Sequence, residues 1–201
     1  MSILVALTVF ALILPAELPD KTMVATLVLA TRFPPLPVWI GVTVGFAVQS
    51  AVAVAAGGLV SLLPGQVVHG VTAGMFALGA ILLLREKDTD LVEEEREIAE
   101  EIADESPPSF RRAALTSFGV LFAAEWGDLS QVLTANFAAK YGDPVAVFIG
   151  AWTALATVAG LAVVGGRALL RVVPLVWVRR LAAGLFIAMA TITALEAADA
   201  I

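Results

Sequence analysis

Two short acidic segments each lie in the middle of a long apolar stretch. They read Glu17-Leu18-Pro19-Asp20-Lys21-Thr22 and Glu125-Trp126-Gly127-Asp128-Leu129-Ser130. The flanking stretches are long enough to cross a bilayer, so each segment falls near the depth where an ionisable group is most costly and needs a function to explain it. The two segments start 108 positions apart, which points to a repeat with one shared site at its interface. The composition agrees with a membrane chain. Sixty per cent of the 201 residues are hydrophobic, against about half in a soluble domain, and the mean hydropathy is +0.94.

A span needs about 20 mostly apolar residues. Six stretches qualify: Ile3–Thr31, Pro37–Leu63, Val67–Leu84, Arg112–Ala139, Pro144–Leu170 and Val178–Ala197. The expected fold is therefore an all-α integral membrane protein with six transmembrane helices. The run Ser2–Leu14 lacks a basic leader and continues into Met23–Ala30, so it reads as a retained first span and not a cleaved signal. Spans one and four are long and carry the acidic segments near their centres. Pro15 and Pro19 should kink or unwind the first, and Gly127 permits a break in the fourth.

The halves also match outside the motifs. Arg32 pairs with Lys140, Ile40-Gly41 with Ile149-Gly150, Gly57-Gly58 with Gly165-Gly166, and Ala73-Gly74-Met75-Phe76 with Ala183-Gly184-Leu185-Phe186. The chain divides into a three-helix repeat at 1–85, an acidic linker at 86–110 and a second three-helix repeat at 111–201. Three spans per repeat is an odd number, so the repeats should be inverted. Ten basic residues (Arg32, Arg85, Lys87, Arg96, Arg111, Arg112, Arg167, Arg171, Arg179 and Arg180) fall on one side, and only Lys140 on the other. The basic side faces the cytoplasm, which puts both termini outside and the linker inside. The linker's charge run reads as a solvated segment, with Leu91, Ile98 and Ile102 as a narrow apolar stripe on a short helix.

Carboxylates at i and i+3 share a helix face. Glu17 with Asp20, and Glu125 with Asp128, can thus point together into the bundle. Inverted halves would bring up to four carboxylates around one small volume, with Thr22, Ser130 and Gln131 in support. Hard oxygen donors suit Ca²⁺, Mn²⁺ or Mg²⁺. Crowded carboxylates in low dielectric cannot all stay ionised, so an empty site holds protons and an arriving cation displaces them. Competition of this kind is the simplest route to proton-coupled antiport. A salt bridge to Lys21 could neutralise one carboxylate, not four. Trp126 either walls the site or packs. Trp39 and Trp177 read as interface anchors, His69 as interfacial, and Gln49 and Asn136 as interhelical hydrogen-bonding residues.

The motif pair resembles the Gdt-type divalent cation:proton exchanger family, whose hallmark is a repeated Glu-x-Gly-Asp-(Lys/Arg)-(Thr/Ser) in the first and fourth of six core spans. The resemblance covers essentially the whole chain. It implies Glu17, Asp20, Glu125 and Asp128 as metal ligands and proton carriers, with Thr22 and Ser130 at the hydroxyl position. Pro19 stands where the family has glycine, and Leu129 where it has a base, so only Lys21 supplies that charge. The family includes bacterial manganese exporters and Golgi manganese/calcium transporters. The resemblance therefore implies Mn²⁺ or Ca²⁺ as transported substrate, no bound cofactor, no enzymatic activity and a place in the bacterial inner membrane.

The residues by themselves leave two other readings: a proton-coupled small-solute exporter, and an intramembrane aspartyl protease, whose Gly-x-Gly-Asp signature is lacking here. The chain has no cysteine, hence no thiolate site. No Gly-x-x-x-x-Gly-Lys-(Ser/Thr) loop points to a nucleotide, and no basic patch interleaved with aromatics points to nucleic acid.

Overall fold

The computed structural model describes residues 2–18, 21–85, 109–172 and 175–199. The acidic linker, with the short helix expected around Leu91, Ile98 and Ile102, lies outside the described residues, as does Asp20. Among the described residues there are eight helices: α1 (Ile3–Glu17), α2 (Lys21–Arg32), α3 (Pro35–Val60), α4 (Gly65–Arg85), α5 (Phe110–Ala124), α6 (Leu129–Tyr141), α7 (Pro144–Val172) and α8 (Leu175–Asp199).

Local chemistry sets several helix ends. Ser2 and Ser109 accept hydrogen bonds from the Val5 and Arg112 amides, capping α1 and α5 in the same way. Gly142, at φ +60°, closes α6 with a left-handed residue, and Asp143 accepts from the Ala146 amide at the start of α7. Pro15 lies inside α1 without ending it, and the Leu18 amide still reaches the Leu14 carbonyl. The first break thus comes after Glu17, not at Pro15 as well. A proline late in a helix forfeits one bond, and packing of Leu12, Ile13 and Ala16 into the core holds the turn.

Four helical segments are long and apolar enough to cross a membrane: Pro35–Val60, Gly65–Leu82, Pro144–Gly165 and Arg180–Ala198. The pair α1 and α2, bent by 69°, makes a fifth if counted as one broken span. The stretch expected to be the fourth span is two helices, α5 of 15 residues and α6 of 13. Each is shorter than a bilayer requires. The turn at Glu125–Asp128 divides them, and Ser130, Gln131, Asn136 and Lys140 dilute the apolar character of α6. Around the bundle, large apolar side chains such as Leu4, Leu59, Leu115 and Val164 are exposed, as expected where lipid replaces water. The described residues are all-helical, and the chain is a membrane protein.

Helix packing repeats itself between the two parts of the chain. α3 packs on α5 and α6, while α7 packs on α1 and α2; α3 also meets α7, and α4 meets α8. The closest approaches recur too. A Cβ at Gly41 would run into the Ala114 carbonyl oxygen, and one at Gly150 would come within 2.5 Å of the Ala6 carbonyl oxygen. Small residues let these helix backbones touch. The matched residues Phe76 and Phe186 meet edge to face at 5.6 Å where α4 crosses α8, and Phe137 joins them at 5.5 Å from Phe76. Two indoles pin α3 to α7 in opposite directions: Trp39 Nε1 donates to the Ala156 carbonyl and Trp152 Nε1 to the Thr43 carbonyl, both at 3.0 Å. Trp39 is therefore a helix-to-helix donor as well as a residue near a span end. Trp177 is exposed and stacks against the Arg180 guanidinium.

Candidate functional site: two helix breaks with buried glutamates

Both motif glutamates are buried, Glu17 at 2% and Glu125 at 4% exposure, each where a helix ends. Glu17 is the last residue of α1. Its Oε2 accepts a hydrogen bond from Thr22 Oγ1 at 2.8 Å, across the break to the first turn of α2. Thr22 is itself fully buried, so this contact is made away from solvent. Asp20 lies outside the described residues. Lys21 opens α2, but its side chain lies outside them as well. Glu125 occupies the corresponding place at the end of α5, with its amide bonded to the Leu121 carbonyl.

The turn after Glu125 depends on Gly127, whose φ of +82° is a left-handed conformation that side chains disfavour. Asp128 then caps α6 through the Ser130 amide at 3.3 Å. A carboxylate at a helix N-terminus is favoured by the helix dipole and by the free amides there. Asp128 is half-buried, so one motif acid is enclosed and the other sits at the edge of the break.

A small cavity of about 10 Å³ opens beside Glu125, lined by Phe46, Gln49, Ser50, Ser130, Gln131, Thr134 and Leu155. That is room for about one water or one small cation. Ser50, 2% exposed, has a hydroxyl with no hydrogen-bond partner among the described residues. An enclosed hydroxyl of this kind is costly unless something fills the cavity to meet it. The lining offers carboxylate, hydroxyl and amide oxygens, the hard donors that suit Mn²⁺, Ca²⁺ or Mg²⁺.

The structure therefore brings together Glu17 with Thr22, and Glu125 with Ser130 and Gln131. Among the described residues, no three of His, Cys, Asp and Glu converge into a metal-holding group. The four-carboxylate cluster expected from the sequence is not assembled by these residues alone, and its Asp20 lies outside them. Trp126 is 56% exposed, packs on the Phe122 ring at 4.9 Å and is not among the cavity-lining residues. His69 has a buried Nδ1 with no partner among the described residues, on α4 away from that cavity.

Sequence reasoning passed over Ser50, Thr134, Phe46 and Leu155, and took Gln49 only as an interhelical donor. The one available signal was the polar pair Gln49-Ser50 inside an otherwise apolar span.

The family model for the divalent cation/proton antiporter GDT1 matches residues 5–91 and 113–201, one motif in each segment. A GDT1-like protein of Synechocystis is 31% identical over 165 residues, covering 78% of this chain and 80% of its own length. A Vibrio cholerae protein named "Putative manganese exporter" is 29% identical over 204 residues, covering 96% of this chain and 91% of its own. GDT1-like protein 3 of Arabidopsis thaliana is 28% identical, covering 80% of this chain and 60% of its own length. No solved structure matches the chain. Two buried glutamates at two helix breaks, each inside a segment that the family model matches, place this chain in the GDT1 family of divalent cation/proton antiporters, which are transporters and not enzymes.

Proposed function

We propose that this protein is a secondary transporter that exports Mn²⁺ from the cytoplasm in exchange for protons. The observation that carries the reading is the near-complete burial of Glu17 and Glu125 at two helix breaks in an apolar bundle. Buried carboxylates with neighbouring oxygen donors bind a divalent cation when ionised and hold protons when it leaves. Mn²⁺ as the substrate is supported by the name of the Vibrio cholerae relative; Ca²⁺ has the same donor chemistry.

In this reading Glu17, Asp20, Glu125 and Asp128 bind the cation and carry the protons. Thr22, Ser130 and Gln131 support them, and Lys21 supplies the one cationic partner. The chain forms six spans in the bacterial inner membrane, as two inverted halves at 1–85 and 111–201, with termini outside and the acidic linker in the cytoplasm. The reciprocal packing of α3 with α5 and of α7 with α1 supports the inversion. So does the meeting of Phe76 with Phe186, since equivalent residues touch only near a two-fold axis. Breaks in corresponding spans at the repeat interface are the usual place for a transported ion.

The test is purified protein in liposomes carrying a pH dye and a metal indicator, with Mn²⁺ or Ca²⁺ added outside. The expected result is Mn²⁺ entry with proton exit, lost in both Glu17→Gln and Glu125→Gln. Metal entry that leaves internal pH unchanged under voltage clamp overturns antiport. No metal movement under any gradient favours a small-solute exporter.

A further inference from the structure

The two helix breaks carry matching acids in sequence, but the side chains that hold the second have no counterparts at the matching positions of the first. In an unbroken helix the Trp126 amide would bond to the Phe122 carbonyl, and the Gly127 amide to the Ala123 carbonyl. The break removes both bonds. The Trp126 amide turns instead to Ala123 at 3.4 Å. Two glutamine side chains take over what is left: Gln49 Nε2 on α3 donates to the Phe122 carbonyl at 3.1 Å, and Gln131 Oε1 on α6 accepts from the Gly127 amide at 2.9 Å. Gln131 Nε2 then donates to the Gln49 carbonyl at 3.4 Å, closing a bracket that ties the break to α3.

At the first break the two backbone groups that match these, the Leu14 carbonyl and the residue 19 nitrogen, need no side-chain partner. Pro19, which stands where the second motif has Gly127, has no amide hydrogen to satisfy. The Leu18 amide keeps its helical bond to Leu14. The positions that correspond to Gln131 and Gln49 are Met23 and Val158. Both are buried, in an apolar cluster with Leu14 and Leu18. Glutamine thus appears where these two backbone groups lack helical partners, and apolar residues stand at the matching positions where they do not.

We propose that Gln49 and Gln131 are positioning residues for cation binding, holding the second break in the shape that presents Glu125 and Asp128 to the ion, with no counterpart at the first break. This rests on the antiport reading above. Side-chain hydrogen bonds can be exchanged, so this bracket lets the Glu125 break adjust as the ion comes and goes.

The test compares wild type, Gln49→Leu, Gln131→Met and Met23→Leu in the Mn²⁺/proton liposome assay, with folded protein quantified in each. Leaving a buried backbone group unbonded is costly, so Gln131→Met and Gln49→Leu should each raise the KM for Mn²⁺ by about tenfold while the rate at saturating Mn²⁺ falls less. Met23→Leu should leave KM unchanged. The double variant should resemble the worse single one, because both side chains serve one bracket. Rates that fall only in proportion to folded protein, with KM unchanged in both glutamine variants, overturn the proposal. An equal KM rise in Met23→Leu also overturns it. Either result, alongside wild-type exchange, leaves antiport standing; absence of exchange by the wild type removes both readings.

Discussion

The ion pair between α6 and α8 should respond very unequally to loss of its two members. Lys140 Nζ lies 2.7 Å from Glu196 Oε2, with side-chain exposures of 8% and 44% respectively. Its other close partner is Thr193 Oγ1 at 2.9 Å, and the Tyr141 ring centroid is 5.9 Å away. Removing one member of a fully buried pair costs about 3–5 kcal/mol, because the survivor is left charged without a partner. Here Glu196 is only partly enclosed, near the C-terminal end of α8, which lowers the cost of Glu196→Ala to about 1–2 kcal/mol. Among the described residues, the stranded ammonium keeps Thr193, the ring, and the dipole of the α6 C-terminus. Lys140→Met strands a carboxylate that is already 44% exposed near the end of α8 and puts an apolar stem in the buried position. Its cost should be about 0–1 kcal/mol.

The assay is thermal unfolding in detergent, followed by near-ultraviolet circular dichroism. At about 2–4 °C per kcal/mol for a chain of this length, Glu196→Ala should lower Tm by several degrees and Lys140→Met by little. The double variant should fall near Lys140→Met, since no unpaired charge remains. A Tm loss in Lys140→Met that equals or exceeds that of Glu196→Ala would refute the reasoning, because it would mean that packing of the lysine stem, and not stranding of its charge, dominates.

Two further outcomes follow from the packing and the loop. Gly41→Ala and Gly150→Ala each push a methyl into a backbone carbonyl of the facing helix and should cost about 1–3 kcal/mol. Gly45→Ala, whose new methyl would sit 3.6 Å from Phe118, should be neutral or stabilising by up to about 1 kcal/mol from helix propensity; comparing the three melting temperatures checks this. Hydrogen bonds from the Ser2 and Ala146 amides hold the Asp143 carboxyl below the usual carboxylate range. A depressed acid stabilises the fold above its unfolded pKa of about 4 and loses that contribution as pH falls through the folded value. The Tm difference between wild type and Asp143→Ala should therefore be constant from pH 6 to 8 and shrink below about pH 4.

Much of this arrangement is readable in the sequence because burying a charge is costly enough to leave a mark. Glu17 and Glu125 stand out in apolar surroundings, and both prove to be enclosed at helix ends. Matching the two halves also paired Gly41 with Gly150 and Phe76 with Phe186, and the structure repeats the glycine contact and joins the two phenylalanines. What hydropathy could not convey is how a stretch is used. The run from Arg112 to Ala139 counts as one span by composition, yet it is two short helices, because one turn at Gly127 outweighs the average. Trp39 looks like any aromatic near a span end until the crossing of α3 and α7 places a carbonyl within reach of its indole. Bonds from side chain to backbone between helices depend on crossing geometry, which no local pattern encodes.

The same limit applies to the motifs themselves. Aligned letter by letter, the two acidic segments look like one element written twice, and the two glutamates do occupy equivalent places. Yet the side-chain bonds that hold the backbone of the second break are made by residues outside the motif. Gln49 comes from another helix, and Gln131 stands one position beyond the hydroxyl. Proline at one break and glycine at the other demand different partners: a missing amide needs no acceptor, while a free one does. The apolar pair Met23 and Val158 and the polar pair Gln131 and Gln49 follow from that single difference. On the antiport reading, an exchanger has to bind one ion and then release it, and a break held by exchangeable side-chain bonds is one that can yield.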